Sequence, residues 1–258
     1  MTPCGVSILR AARRRSRISS SSPVQTMRRE LSGRAVASAE RAGEKETAGG
    51  YQAEAALREA FFGNAAYARR QAAAGLALST DKDLQYEAAL ALAFAGDAGR
   101  AQALADDLGK RFPEATIVQF NYLPTLHAQL ALSRTDASKA IEVLQAVQQT
   151  GIGVRNAPYV LGSYGALCPV FVRGEAYLAA HQGSEAVAEF QKILDHRGIV
   201  LNEPIGALAH LQIGRAYAMQ GDTAKAKAAY QDLLTLWKDA DPDIPILKQA
   251  KAEYAKLQ

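Results

Sequence analysis

GEAYLAAHQGSEAVAEFQ, residues 174–191, aligns without a gap on GRAYAMQGDTAKAKAAYQ, residues 214–231. The two stretches share Gly, Ala, Tyr, Ala, Ala and Gln at corresponding positions, and Phe190 corresponds to Tyr230. Each stretch has one aromatic residue three positions after its first glycine and a second aromatic sixteen positions after it. Self-similarity of this kind is typical of proteins built from repeated supersecondary units.

The spacing within the repeat predicts a pair of packed helices. Gly174 and Tyr177 are i and i+3 on one helix, and Ala186 and Phe190 are i and i+4 on the next. Small residues allow the two helices to approach closely, and the aromatic side chains fill the space beside the crossing. We expect 183–184 (Gly-Ser) and 221–223 (Gly-Asp-Thr) to end the first helix and cap the second. The unit is therefore predicted to be an antiparallel helical hairpin.

The same distances recur upstream, around turns predicted at 63–64, 96–97 and 135–136. One alanine in each unit anchors the helix crossing, and successive anchors are 33, 39, 46 and 40 residues apart: Ala68, Ala101, Ala140, Ala186 and Ala226. We predict a disordered tail at 1–27 and a repeat domain at 28–258. Within that domain we predict a half repeat at 28–45, five hairpins at about 49–78, 82–113, 116–149, 164–196 and 204–238, and a capping helix at 243–257.

Composition supports a helical domain preceded by a basic tail. Alanine is abundant and aromatics make up 7% of the chain, which favours helix over sheet. Residues 1–29 hold seven arginines and no acidic residue, which leaves 23 basic against 26 acidic residues in 30–258. The domain is thus mildly acidic, and we expect no nucleic-acid partner. The tail itself could instead serve in targeting or polyanion contact. No segment reaches the ~20 apolar residues of a membrane span, and two distant cysteines favour a reducing compartment, so we predict a cytoplasmic protein, with a membrane-tethered parent protein as the alternative.

In its unit length and hairpin pattern the chain resembles tetratricopeptide-repeat (TPR) proteins, whose unit is a helix-turn-helix of ~34 residues. The resemblance implies an all-α fold, a right-handed superhelical TPR solenoid of antiparallel helical hairpins. It further implies a concave face, lined by the first helix of each pair, that receives a partner peptide or helix. The predicted function is that of a protein-protein interaction scaffold.

A second resemblance covers 28–258 and is strongest after Pro169, from PVFVRGEAYLAA to AKAEY. This run is similar to the C-terminal TPR region of large bacterial proteins, many of which carry a eukaryotic-like Ser/Thr kinase domain or a DNA-binding domain. It implies an alternative function: a C-terminal regulatory or sensor fragment of a bacterial Ser/Thr protein kinase or transcriptional regulator. The catalytic or DNA-binding domain of such a protein is missing from this sequence.

The stretch DHRGIVLNEP, residues 195–204, superficially matches a kinase catalytic loop. Gly198 stands where the catalytic Asp belongs, and the chain has no Gly-rich nucleotide loop, paired Lys and Glu, or Asp-Phe-Gly. We therefore interpret it as a connector between two hairpins and predict that the chain is not an enzyme. The four histidines lack zinc-ligand spacing, and no nucleotide or phosphate loop is present, so we predict no metal or cofactor.

Helical spacing on the first helices predicts the residues of the partner-binding groove. They are Tyr86, Phe94, Tyr122, Gln129, Phe171, Glu175, Leu211 and Arg215. The set lacks the Lys and Asn cluster with which chaperone-binding TPR domains hold a terminal carboxylate. We expect a largely apolar peptide or helix, anchored by the aromatics and oriented by Arg215 or Glu175. Two alternatives stay open: several of these aromatics belong to the core between repeats, or the array self-associates.

Overall fold

The computed structural model describes residues 24–145, 147 and 167–258, and every regular element in these residues is helical. This confirms the all-α class. The helices are α1 (Val24–Arg41), α2 (Lys45–Phe61), α3 (Ala65–Leu78), α4 (Lys82–Phe94), α5 (Ala98–Arg111), α6 (Leu123–Ser133), α7 (Ala137–Gln145), α8 (Cys168–Ala179), α9 (Gly183–Asp195), α10 (Arg197–Val200), α11 (Pro204–Met219), α12 (Thr223–Leu236) and α13 (Pro245–Ala255). A π-helical turn, Val118–Tyr122, leads into α6.

Five turns inside the hairpins share one backbone conformation. Each holds one residue with positive φ: Gly63, Gly96, Thr135, His181 and Gly221. The N–H of the residue that follows it bonds the carbonyl five positions back, as Asn64 does with Glu59 and Asp222 with Tyr217. This is the bonding of a Schellman helix end. The anchoring alanine comes five residues after each positive-φ residue and is completely buried in all five units. All five anchoring alanines thus have the same place relative to their turns, which is consistent with a helical repeat.

The turn of the fourth hairpin differs from its prediction. The left-handed residue is His181, at the position of Gly221 in the aligned repeat, and not Gly183. Gly183 is instead the first residue of α9, and a Cβ there would lie 2.7 Å from Gln220 Nε2 at the end of α11. Its glycine serves a close approach between hairpins. In the fifth hairpin Asp222 caps α12 as predicted, because its carboxylate accepts the N–H of Lys225 at 3.1 Å.

The small residues at the helix crossings have the predicted packing role. A Cβ on Gly174 would lie 2.6 Å from the nearest ring carbon of Phe190, and one on Gly214 would lie 2.9 Å from the ring of Tyr230. These distances are shorter than van der Waals contact. Only glycine lets α8 and α11 lie this close to the aromatic rings of α9 and α12.

The first helices of the hairpins pack in chain order, and the last of them contacts the first. Helix α2 packs on α4, α4 on α6, α6 on α8 and α8 on α11, and α11 also contacts α2. The ring of Phe61 on α2 lies 4.8 Å from that of Phe94 and 5.6 Å from that of Phe171 on α8. Side chains therefore meet across the centre of the array. An open superhelix leaves its two ends apart, whereas here the first and last hairpins touch.

Helix α1 begins before the predicted end of the tail. Residues 24–27 belong to α1, and Gln25 is buried, so the predicted boundary at 27 falls inside a helix. The rest of the predicted tail, 1–23, lies outside the described residues. So does the Gly-rich stretch 150–165, together with the neighbouring parts of the hairpins predicted at 116–149 and 164–196.

The segment DHRGIVLNEP connects two hairpins, as predicted. Helix α9 ends at Asp195, the short helix α10 follows, and α11 starts at Pro204. His196 contacts the carbonyl of Lys192 through Nδ1 at 2.6 Å, which holds the end of α9. The histidine-arginine pair that resembled a catalytic motif is thus part of a helix end and a connector.

Candidate functional site

The eight predicted groove residues fall into two groups of different exposure. All except Tyr122 lie on first helices, and Tyr122 ends the π-helical turn that leads into α6. Tyr86, Gln129, Phe171 and Leu211 are buried. Phe94, Tyr122, Glu175 and Arg215 are partly exposed. Only the second group offers a surface that a partner could contact.

The buried group packs in the core between helices. Phe171 lies between Phe61 and Phe190, with both ring centroids 5.6 Å from its own. Leu211 is 0% exposed and Tyr86 is 1% exposed. Of these contacts, the one between Phe61 on α2 and Phe171 on α8 reaches across the array. For these residues the structure supports the alternative of inter-repeat core, and the partner contact stays a prediction for the exposed group.

Two tyrosines form a stacked pair between α4 and α6. Their rings are nearly parallel, with centroids 3.9 Å apart, and the Tyr122 hydroxyl donates to Asp83 Oδ1 at 2.8 Å. Burial raises the pKa of Tyr86 well above its usual value. Burial and the neighbouring Asp83 carboxylate raise the pKa of Tyr122 as well. Both phenols are therefore neutral and fixed in place.

Arg215 is already engaged by the C-terminal helix. Its Nε and Nη2 donate to the two carboxylate oxygens of Glu253 on α13 at 2.9 and 2.8 Å. Tyr230 donates its hydroxyl proton to the same carboxylate at 2.8 Å. Burial lowers the pKa of Arg215, but the Glu253 carboxylate outweighs burial and leaves a net increase. A fork-shaped pair of this kind fixes orientation, so Arg215 holds α13 on α11 and α12.

Glu175 is a partly exposed carboxylate on α8 that contacts α11. Gln212 on α11 donates to its Oε1 at 3.0 Å. Burial raises the pKa of Glu175 to about 7, and the positive charge of Arg215 offsets part of that increase. Its charge consequently changes close to neutral pH.

Glu87 is an inner-side carboxylate that sequence reasoning missed. Burial raises its pKa well above the usual value, and the negative charges of Glu54, Asp83, Glu203 and Asp81 raise it further. It follows Tyr86 in the apolar run of α4, and Tyr122 lies within range of its charge. The only signal in the sequence is a single acidic residue between apolar neighbours, which is more often a solvated position.

Four partly exposed residues therefore define the candidate site, which we term the inner-face set: Glu87, Phe94, Tyr122 and Glu175. Glu87 and Tyr122 lie together, whereas Phe94 is at the other end of α4 and Glu175 is one turn beyond Phe171 on α8. Rings and carboxylates together suit an apolar ligand that carries a positive charge. In the described part of the chain no three His, Cys, Asp or Glu side chains gather as a metal ion would require.

Among the helices that the structure describes, none combines the length and the apolar character needed to cross a membrane. No protein-family model matches the sequence, and no curated protein matches it at a significant level.

Proposed function

We propose that this chain is a non-catalytic protein-protein interaction scaffold of the TPR type. Its hairpins are the repeats of a right-handed superhelical array, and a partner peptide or helix binds on the side formed by the first helices. The proposal is supported by the common turn conformation of all five hairpins and by the buried alanine that follows each turn. Repeat arrays use such a surface because neighbouring units present their first helices side by side.

The partner binds at the inner-face set. Phe94 and Tyr122 supply partly exposed rings, and Glu87 on α4 and Glu175 on α8 supply carboxylates. Arg215 is paired with Glu253, so the partner is oriented by Glu175 and not by Arg215. The ligand that fits is an apolar or amphipathic peptide with one Lys or Arg placed to pair with Glu175.

A peptide library displayed on phage and selected on the purified full chain tests this function. The selected peptide should be apolar with one basic residue, and its affinity, measured by calorimetry, should rise as pH passes from 6 to 8 because Glu175 becomes ionised. Glu175→Gln should weaken binding about tenfold, or about 1.4 kcal/mol, and should remove that rise.

Two aromatic variants separate the inner-face set from other exposed rings. Tyr122→Ala should weaken the same peptide about tenfold. Phe120→Ala is the matched control, since Phe120 is 55% exposed and only two residues away on the same turn. If Phe120→Ala costs as much affinity as Tyr122→Ala, or if Glu175→Gln leaves binding and its pH dependence unchanged, the partner does not use the inner-face set.

A further inference from the structure

The first and last parts of the described chain meet at a seam. On the N-terminal side the seam consists of Gln25, Arg29, Glu59, Phe62, Gly63 and Asn64, and on the C-terminal side of Trp237, Asp241, Ile244, Pro245 and Ile246. These residues are close in space although about two hundred positions separate the two sides; the bond from the Gln25 N–H to the Asp241 carboxylate spans 216 residues. That bond satisfies an N–H in the first turn of α1, which has no partner inside its helix.

A buried carboxylate organises the polar part of the seam. Glu59 is 1% exposed and accepts two bonds from Arg29, at 2.9 and 2.7 Å, and one each from the side chains of Gln25 and Asn64. The same Gln25 contacts Asp241 through its backbone. Helix α1, helix α2 and the C-terminal segment are thus joined through one glutamine and one glutamate.

The apolar part of the seam lies beside this cluster. The rings of Phe62 and Trp237 meet edge to face with centroids 5.5 Å apart. The Ile246 N–H donates to the Phe62 carbonyl at 3.2 Å, and a Cβ built on Gly63 would lie 3.1 Å from Pro245 Cβ. The C-terminal segment is held at its other end by Arg215 and Glu253 on α11 and α13. It therefore spans from the last hairpin to the first.

The seam differs from the other contacts between hairpins in the closed ring of hairpins, α2 to α12. Successive hairpins are neighbours along the chain and share long helix-helix interfaces, and such interfaces carry the stability of a repeat array. The seam instead joins units that are far apart along the chain, and several of its members, Arg29 and Trp237 among them, reach solvent. Its contacts, together with that of α11 with α2 and that of Phe61 with Phe171, can be lost while every hairpin keeps its nearest neighbours.

We propose that residues 237–247 form a releasable strap: the ring opens at the seam with its hairpins intact, and this opening gives a partner access to the inner side of the first helices. The opening stands on the contacts above, whereas its use by a partner rests on the proposed function. The occupants that the strap controls are apolar peptides of the kind that fits the inner-face set.

The chain contains a single tryptophan, Trp237, which reports the seam directly. In a urea titration of the full chain, Trp237 fluorescence should change at a lower urea concentration than the helical circular-dichroism signal. Phe62→Ala should move the fluorescence transition to lower urea and leave the circular-dichroism midpoint nearly unchanged. Coincident transitions in the native chain, or an equal shift of both transitions by Phe62→Ala, would overturn the proposal.

A reversible lock gives a second, independent measurement. Gly63→Cys with Pro245→Cys places two Cβ atoms 3.1 Å apart, a few tenths of an ångström closer than the ~3.5–4.5 Å of a disulfide, so the bond forms with a small backbone shift; the chain also carries Cys4→Ser. The reduced form is the matched control, because both forms share the strain of a cysteine at the positive φ of Gly63. Oxidation should slow hydrogen exchange at the Ile246 N–H about tenfold or more and should merge the two urea transitions. Equal exchange in the oxidised and reduced forms would refute a seam that opens by itself.

Binding of the selected peptide to the two forms distinguishes a failure of the strap from a failure of the proposed function. The peptide should bind the reduced form about tenfold more tightly than the oxidised form, because only the reduced form opens. Equal binding to both forms contradicts the access role, whatever the opening measurements show. A seam that opens by both probes while no peptide binds either form contradicts the proposed function and leaves the opening itself established.

Discussion

Replacing Gly174 by alanine tests whether glycine is present at the helix crossing for packing or by chance. A Cβ at this position meets three ring carbons of Phe190 at 2.6, 2.7 and 2.9 Å, whereas ordinary contact begins near 3.4 Å. The ring is 0% exposed and packs against Phe171, so it has no open space to move into. Overpacking of this kind costs about 1–3 kcal/mol. Alanine recovers about 1 kcal/mol of helix propensity, which leaves a net loss of up to about 2 kcal/mol.

The matched control is Gly33→Ala in α1. Gly33 also lies inside a helix, but a Cβ there meets no atom within 4 Å, so the change should raise the free energy of unfolding by about 0.5–1 kcal/mol. The two variants should therefore shift the urea midpoint, followed by circular dichroism, in opposite directions. Phe190→Leu added to Gly174→Ala should recover part of the loss, because the two sites are in contact. A Gly174→Ala variant as stable as Gly33→Ala would refute the close helix approach on which the repeat assignment depends.

Two further predictions concern buried charges. Arg173 and Glu189 form a buried ion pair at 2.7 Å, and Glu189 also pairs with Lys192 at 2.6 Å. Arg173→Met leaves Glu189 with Lys192 alone and should lower the free energy of unfolding by up to about 3 kcal/mol in a urea titration, and adding Glu189→Leu should recover most of that loss. A double variant no better than the single one would contradict this. The carboxyl of Glu175 has a folded pKa of about 7 and ionises near 4.3 in the unfolded chain, so between these values the folded chain binds more protons and its stability should fall as pH rises. Thermal melts of Glu175→Gln between pH 4.5 and 7.5 should show a weaker fall in stability. A slope equal to that of the native chain would count against the raised pKa.

Sequence periodicity predicted the hairpins because their determinants are local. The left-handed turn residue, the buried alanine five positions later and the aromatic beside the glycine all lie within one unit. The prediction failed at His181, where a histidine adopts the conformation that glycine takes in the neighbouring repeat. The prediction placed the turn at Gly183 because the sequence alone does not distinguish a glycine that adopts positive φ from a glycine that allows close packing.

The closure of the ring could not be predicted from the same pattern. It depends on Glu59, Phe62, Trp237 and Asp241, which have no repeat relation to one another and belong to segments far apart along the chain. Each alone is an ordinary residue of a helix end or a loop. Only the three-dimensional arrangement shows that a buried carboxylate on α2 receives donors from α1 and from a turn, and that one of these donors also bonds the last segment.

Packing between neighbouring units and closure of the array together explain why the predicted groove divides into two groups. The first helices of an open array expose one side, and helical spacing places Tyr86, Phe171 and Leu211 on that side. Once α11 contacts α2 and Phe61 reaches Phe171, the same positions lie inside the core. Tyr86 also stacks on Tyr122 of the adjacent unit and Phe171 packs on Phe190 of its own hairpin, so their burial comes from the repeat as well as from closure. If the seam opens as proposed, hydrogen exchange and solvent exposure at the inner ends of α4, α8 and α11 should increase together with that of the seam, and the groove predicted from the sequence is the surface that a partner would meet.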